Sequence, residues 1–361
     1  MNSIYKDMLG IMQSRRGPYS GLDIPEFYAV VEELFTPEEA AVNNILIKKP
    51  ETLRMISERC GRPMEELYPV IESMANKGLV VTFMENGERV YYGLPFMPGI
   101  FEYTFISGDE SEHSRKLARL IKDYKVAYVK NKGLEKVVFP LTRVIPVNRT
   151  IDAGNRIHTY DQVATYIQKY DSIAVGSCYC RHAAKLRGED IHGVPTEVCL
   201  WFGTSADYMM ERVGGRKLSK DEAMTILDDC EEAGLVHMSR NTSEDIEFLC
   251  NCDRWHCEVV TNILKQPKPG WAFNSGFEPK FNADKCVACG TCLDRCPSGA
   301  LSLGDDVPVV NMDRCFGCAV CATGCSEKAI TMAAKTGYPE PPRDMNELIS
   351  SLKEAYKKQA S

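Results

Sequence analysis

Eight cysteines toward the C-terminus limit the fold of this chain more than any other feature. They fall into two copies of Cys-x2-Cys-x2-Cys-x3-Cys: Cys286, Cys289, Cys292 and Cys296, then Cys315, Cys318, Cys321 and Cys325. Each cysteine of the first copy has a counterpart at one fixed offset, so the segment is an internal repeat of a ligand loop. Thiolates at this spacing curl the backbone round a cubane iron–sulfur cluster. Three sulfurs come from one loop, and the fourth usually comes from the last cysteine of the other loop. The spacing therefore predicts one [4Fe–4S] cluster on Cys286, Cys289, Cys292 and Cys325, and a second on Cys315, Cys318, Cys321 and Cys296. Structural zinc also uses Cys-x2-Cys, but it gives no reason for the third x2 interval or for Pro297.

On these motifs, residues 277–335 resemble the bacterial two-cluster ferredoxins. Pro297 follows Cys296 as that family's pattern requires. Ser326 replaces the proline expected after Cys325, a change predicted to loosen a turn while removing no ligand. Small residues (Gly290, Thr291, Ser298 and Gly299, then Gly317, Ala319, Thr323 and Gly324) suit a close approach of backbone to sulfide. Asp284, Asp294, Asp305, Asp306 and Asp313 disfavour an added electron, so low reduction potentials are expected.

The chain has 361 residues, enough for two or three domains. Its net charge of −7 argues against nucleic acid as the main partner, because phosphate attraction needs a basic face. Sixteen cysteines without a signal peptide suggest a reducing compartment in which thiols bind metal. No stretch nears 18 uninterrupted apolar residues, so no membrane span is expected. The chain reads as cytoplasmic, from an organism living with little oxygen.

Four segments follow from the sequence, and the fold class they predict is α+β: a winged-helix-like module over 1–95, a mixed α/β domain over 96–265, a ferredoxin-like dicluster domain over 266–336 and a tail helix over 337–361. In the first, helices are expected over 37–48, with Thr36 as N-cap, over 51–60 and over 63–77. A hairpin then turns at Asn86-Gly87. This order resembles a winged-helix module. From Glu51 to Tyr92 there are seven acidic residues against five basic ones, and the helix that would read a major groove carries Glu65, Glu66 and Glu72. DNA is therefore an unfavoured partner. The second segment predicts a helix over 117–128 and strands at Val137–Phe139, Val144–Val147 and Ile173–Val175. It also predicts a helix over 160–170 and a capping box, Ser219 with Glu222, opening a helix to Ala233. A linker at 266–270 and a charged helix over 346–359 complete the reading.

The middle segment holds a second thiol set: Cys178, Cys180, Cys199, Cys250, Cys252 and Cys257. Cys-x-Cys in extended backbone points both sulfurs to one side, so the two pairs are candidates to converge on one metal. Over residues 135–335 the chain resembles a group of anaerobe proteins that carry a C-terminal dicluster domain. The likeness rests on Cys178-Tyr-Cys180-Arg181, Cys199, Ser205–Tyr208, Gly215-Arg216, Glu232–His237 and Cys250-Asn-Cys252. Three readings stay open for this set: a third [4Fe–4S] cluster, one structural zinc aided by His182, His237 or His256, or reduced cysteines packing as small hydrophobes. Arg181 is placed to stabilise a thiolate or to pair with a carboxylate. Cys60 and Cys230 read as core.

No dinucleotide or phosphate-binding loop is present. The expected function is electron transfer to or from a partner oxidoreductase, as a carrier or as a subunit of a complex. A redox-responsive regulator, with the winged helix as output, and an enzyme centred on the middle thiols are the alternatives. Homo-oligomerisation is compatible with either.

Overall fold

The computed structural model describes residues 3–147, 151 and 163–360. Two compact units emerge from a chain that passes between them more than once: 1–134, 174–191 and 204–217 form the first, and 135–173, 192–203 and 218–361 the second.

In the first unit, helix Pro37–Ile45 opens on a capping box in which Thr36 and Glu39 satisfy each other's orphan N–H groups. Glu51 and Thr52 form a short strand where a helix start is expected. Thr52 accepts the Met55 N–H and so caps a helix that begins at Leu53 and ends at Cys60, with Gly61 left-handed. Helix Met64–Asn76 buries Leu67, Val70, Ile71 and Met74, and strands Val80–Glu85 and Glu88–Gly93 follow as a hairpin. Asn86 and Gly87 both take positive φ, as a two-residue hairpin turn requires. The three strands form one antiparallel sheet. Helix Thr204–Arg212 is tied to this group: the Tyr208 hydroxyl meets the Ala75 and Val80 carbonyls, and Arg212 pairs with Glu72 at 2.7 Å.

Four antiparallel strands of the second unit lie in the order Thr142–Val144, Val236–Arg240, Phe248–Cys252, Glu197–Phe202. Pro146 ends the first of these strands at the sheet edge. Val137–Phe139 form no strand: the Val137 N–H is taken by the Gln266 side chain, so the ladder bond a strand needs is already spent. Helix Lys220–Glu232 carries the expected capping box. Of the helix expected over 160–170, Val163–Lys169 is helical, and residues 160–162 lie outside the described residues. The 266–270 stretch packs closely where a spacer is expected. Gly270 donates to the Asp313 carbonyl at 2.7 Å, and a Cβ there would lie 2.7 Å from the Cys315 carbonyl oxygen. Helix Met345–Ala360 buries Leu348 and leaves Tyr356 exposed.

Candidate iron–sulfur centre

The sequence repeat is a structural repeat. Each half opens on an asparagine turn: Asn282 Oδ1 accepts the Asp284 N–H at 2.9 Å, and Asn311 Oδ1 accepts that of Asp313 at 3.1 Å. Residue 288 in one loop and 317 in the other are left-handed, as are 290 and 319. Short helices Thr291–Arg295 and Val320–Thr323 follow. Each half then aims a backbone N–H at its last cysteine, Ala300 to Cys296 Sγ at 3.2 Å and Ala329 to Cys325 Sγ at 3.3 Å. Ser326 does not loosen its turn. Lys328 takes the positive φ that Gly299 takes in the other half, and its N–H closes on the Cys325 carbonyl at 3.1 Å.

Two cavities result. Both are open to solvent: one, of about 560 Å³, is lined by Cys286, Cys289, Cys292 and Cys325, and the other, of about 310 Å³, by Cys296, Cys315, Cys318 and Cys321. Each cavity thus gathers three cysteines of one loop and the fourth of the other. An all-thiol donor set around an apolar hollow fits an iron–sulfur cluster, whose sulfides need room and N–H donors more than ions of opposite charge.

The surroundings of the two cavities differ. Cys289 is exposed, whereas Cys296, Cys315, Cys318 and Cys321 are buried. The Thr291 hydroxyl, 3.4 Å from Cys289 Sγ, holds that thiol below its ordinary pKa. Burial pushes the Cys315, Cys318 and Cys321 thiols up. The second loop is cradled from outside. Asn274 Nδ2 donates to the Cys315 carbonyl at 2.7 Å, and Ser275 Oγ donates to the Gly317 carbonyl at 2.7 Å. Arg295 bridges the loops to the end of helix Lys220–Glu232, donating to the Glu231, Glu232 and Val320 carbonyls. Sequence reading missed Asn274, Ser275 and Arg295. The paired Asn-x-Asp steps before Cys286 and Cys315 were legible as turn signals.

The middle cysteines divide between the units. Cys178 and Cys180 stand in the first unit and are not in extended backbone: Cys178 is the N-cap of helix Tyr179–Leu186 and Cys180 lies inside it. Cys178 hydrogen-bonds to the Cys180 thiol, which with its enclosure raises its pKa against the pull of the buried Arg181. Cys199, Cys250, Cys252 and Cys257 stand in the second unit, with Cys250 and Cys252 in strand Phe248–Cys252 as expected. Of the three histidines offered for zinc, His182 meets the Asp109 carbonyl through Nε2, His237 meets Asn251 and Glu231 through its two ring nitrogens, and His256 meets Asp253 through Nδ1. Among the described residues, no three or more His, Cys, Asp or Glu side chains are drawn together around a single ion. Cys230 is core, while Cys60 is half-buried at a helix end, its thiol directed at the Ser57 carbonyl.

Among the described residues no helix is long and apolar enough to cross a membrane. Residues 279–302 match the family model of the 4Fe-4S binding domain. A probable ferredoxin of Methanosarcina thermophila is 56% identical over 27 residues, a match covering 8% of this chain and 47% of that relative. The chain therefore spans about half the length of the curated relative it matches. No solved structure matches the chain. Within a mixed α+β chain, residues 279–302 are a 4Fe–4S binding domain of the kind found in ferredoxins.

Proposed function

We propose that this protein is a low-potential electron carrier, or electron-feeding subunit, with two [4Fe–4S] clusters. Cys286, Cys289, Cys292 and Cys325 hold one, and Cys315, Cys318, Cys321 and Cys296 hold the other. The observation that carries this reading is the sorting of the eight thiols into two cavities, each with one cysteine exchanged between loops. When bound, such clusters supply one-electron redox chemistry. The residues do the rest: the Ala300 and Ala329 N–H groups hold charge on sulfur, and burial of Cys315, Cys318 and Cys321 keeps water from the inner set. The cavity with the exposed Cys289, with Asp306 and Glu327 in its lining, is the port to a redox partner protein.

The N-terminal module, winged-helix-like in element order, serves in this reading as scaffold. Glu65 and Glu66 are exposed on helix Met64–Asn76, and Glu72 and Asn76 are occupied by Arg212 of the same chain. That surface offers phosphate no attraction.

Iron and acid-labile sulfide on anaerobically purified protein test the proposal. C286S/C289S and C315S/C318S should each lose about four iron atoms per chain. Adding C325S to the first pair should remove nothing more, while adding it to the second should remove the remaining cluster of the repeat. Colourless protein, or a reversed dependence on C325S, would refute the assignment.

A further inference from the structure

A lysine stands beside the thiols of the inner site. Lys335 directly follows strand Ile330–Ala334, whose Ala334 pairs with Phe277, and its backbone N–H donates to the Gly276 carbonyl at 2.8 Å. Its Nζ donates to Asn274 Oδ1 at 3.0 Å. The same oxygen accepts the Gly276 N–H at 2.8 Å, while Asn274 Nδ2 donates to the Gly270 carbonyl at 2.8 Å and to the Cys315 carbonyl at 2.7 Å. Both ends of this buried amide are therefore fixed. A charge held at one end polarises the amide and strengthens what the other end donates. Lys335 is thus linked through one side chain to the backbone of a ligand residue.

Taking an ammonium out of water costs free energy that opposite charge must offset. The Tyr338 ring centroid lies 5.9 Å from Nζ, and a Cβ at Gly276 would come within 2.7 Å of that ring, so the half-buried ammonium is roofed. Glu278, on strand Phe277–Phe281, is paired with Lys280 at 2.5 Å. Burial draws the Lys335 pKa down, while the Cys315 sulfur, ahead of Glu278, draws it back up. The main counter-charge is therefore a sulfur of the inner cavity.

Reduction adds one electron, and so one negative charge, to a cluster, with no bond made or broken. Burial of Cys315, Cys318 and Cys321 resists that charge. A fixed cation in a poorly solvated wall acts against this resistance far more strongly than one in water. Arg254, Arg295 and Arg314 bring further positive charge to the inner loops through the Cys296, Val320 and Ser298 carbonyls, whereas the outer cavity has Asp306 and Glu327 in its lining.

We propose that Lys335 is a positioning residue that raises the reduction potential of the inner [4Fe–4S] cluster, acting through Asn274 and across space, and so keeps a buried cluster reducible. The inference rests on the two-cluster reading above and adds to it the group that tunes one cluster apart from the other.

The experiment is an EPR-monitored redox titration, without oxygen, of wild type, K335Q, K335M and K335R. K335Q keeps a hydrogen-bond donor but not the charge, K335M keeps only the packing under Tyr338, and K335R keeps the charge. K335Q and K335M should move one midpoint potential to a more negative value and leave the other in place, and K335R should restore the wild-type pair. The shift should persist when K335Q is combined with C286S/C289S, and vanish when it is combined with C315S/C318S. Two unmoved potentials, two that move alike, a K335R shift as large as that of K335Q, or a shift that survives C315S/C318S overturns the inference. If K335Q fails to fold, K335M decides on the same criteria. Wild type without iron refutes the two-cluster reading and this inference with it, whereas about eight iron atoms with unmoved potentials overturns this inference alone.

Discussion

Gly317 and Gly290 allow the packing of the ligand loops to be separated from their backbone conformation. Both are left-handed, with φ of +66° and +80°. A Cβ at Gly290 would meet nothing within 4 Å, whereas at Gly317 it would press into the Phe277 carbonyl oxygen and Ser275 Oγ. The left-handed conformation costs an L residue about 1–2 kcal/mol. Alanine recovers about 0.4–1 kcal/mol by restricting the unfolded chain, so G290A should cost about 1 kcal/mol. The repeat itself shows alanine is accepted in this conformation, since Ala288 and Ala319 occupy the equivalent positions at φ of +52° and +69°. G317A adds an overpacking term of about 1–3 kcal/mol, because Phe277 is fixed in a strand paired with Ile330–Ala334 and cannot retreat freely. Its total is about 2–4 kcal/mol. Both variants would be loaded anaerobically and their visible absorbance followed through a denaturant series on one schedule, since iron loss makes unfolding irreversible. G317A should bleach at clearly lower denaturant than G290A. Equal midpoints, or the reverse order, would refute the claim that the inner loop is clamped by residues 275–277.

Further predictions concern charge and reactivity. Burial raises the Glu39 pKa but is outweighed by Lys77, the Thr36 N–H and Ser73, so it lies below the usual carboxylate range. The stability it supplies is present above about pH 4.3 and is lost as pH falls through the lower folded-state value. E39Q should therefore lower stability at neutral pH and flatten the acid limb of a pH-dependent melting series. With iron removed, Cys289 should be alkylated before Cys318 and Cys321 near neutral pH, and T291V should slow it, as peptide mass mapping would show. Gel-shift titration with random duplex DNA should give no salt-sensitive binding in either redox state.

Local chemistry was legible wherever one residue type forces one geometry. Asn86-Gly87 turned the hairpin, Ser219 with Glu222 opened its helix, and the cysteine spacing brought eight thiols to two cavities. Reading failed where a distant partner decided the outcome. Val137 looks like strand sequence, but its N–H goes to Gln266, 129 residues away. Cys178-Tyr-Cys180 resembles Cys250-Asn-Cys252 on paper, yet one enters a helix and the other a strand, because only the second has ladder neighbours on both sides. The proline and glycine of 266–270 suggested slack, whereas Gly270 is needed because carbonyl oxygens of the inner loop leave no space for a side chain.

The unequal burial of the two cysteine sets has a practical consequence for anyone handling the protein. Air should reach the sulfurs around Cys289 long before those around Cys318, so damage would proceed in stages and not all at once. If both sites hold the clusters proposed for them, a preparation made on the open bench should keep a brown tint and part of its metal, and so pass for a protein with fewer cofactors than it started with.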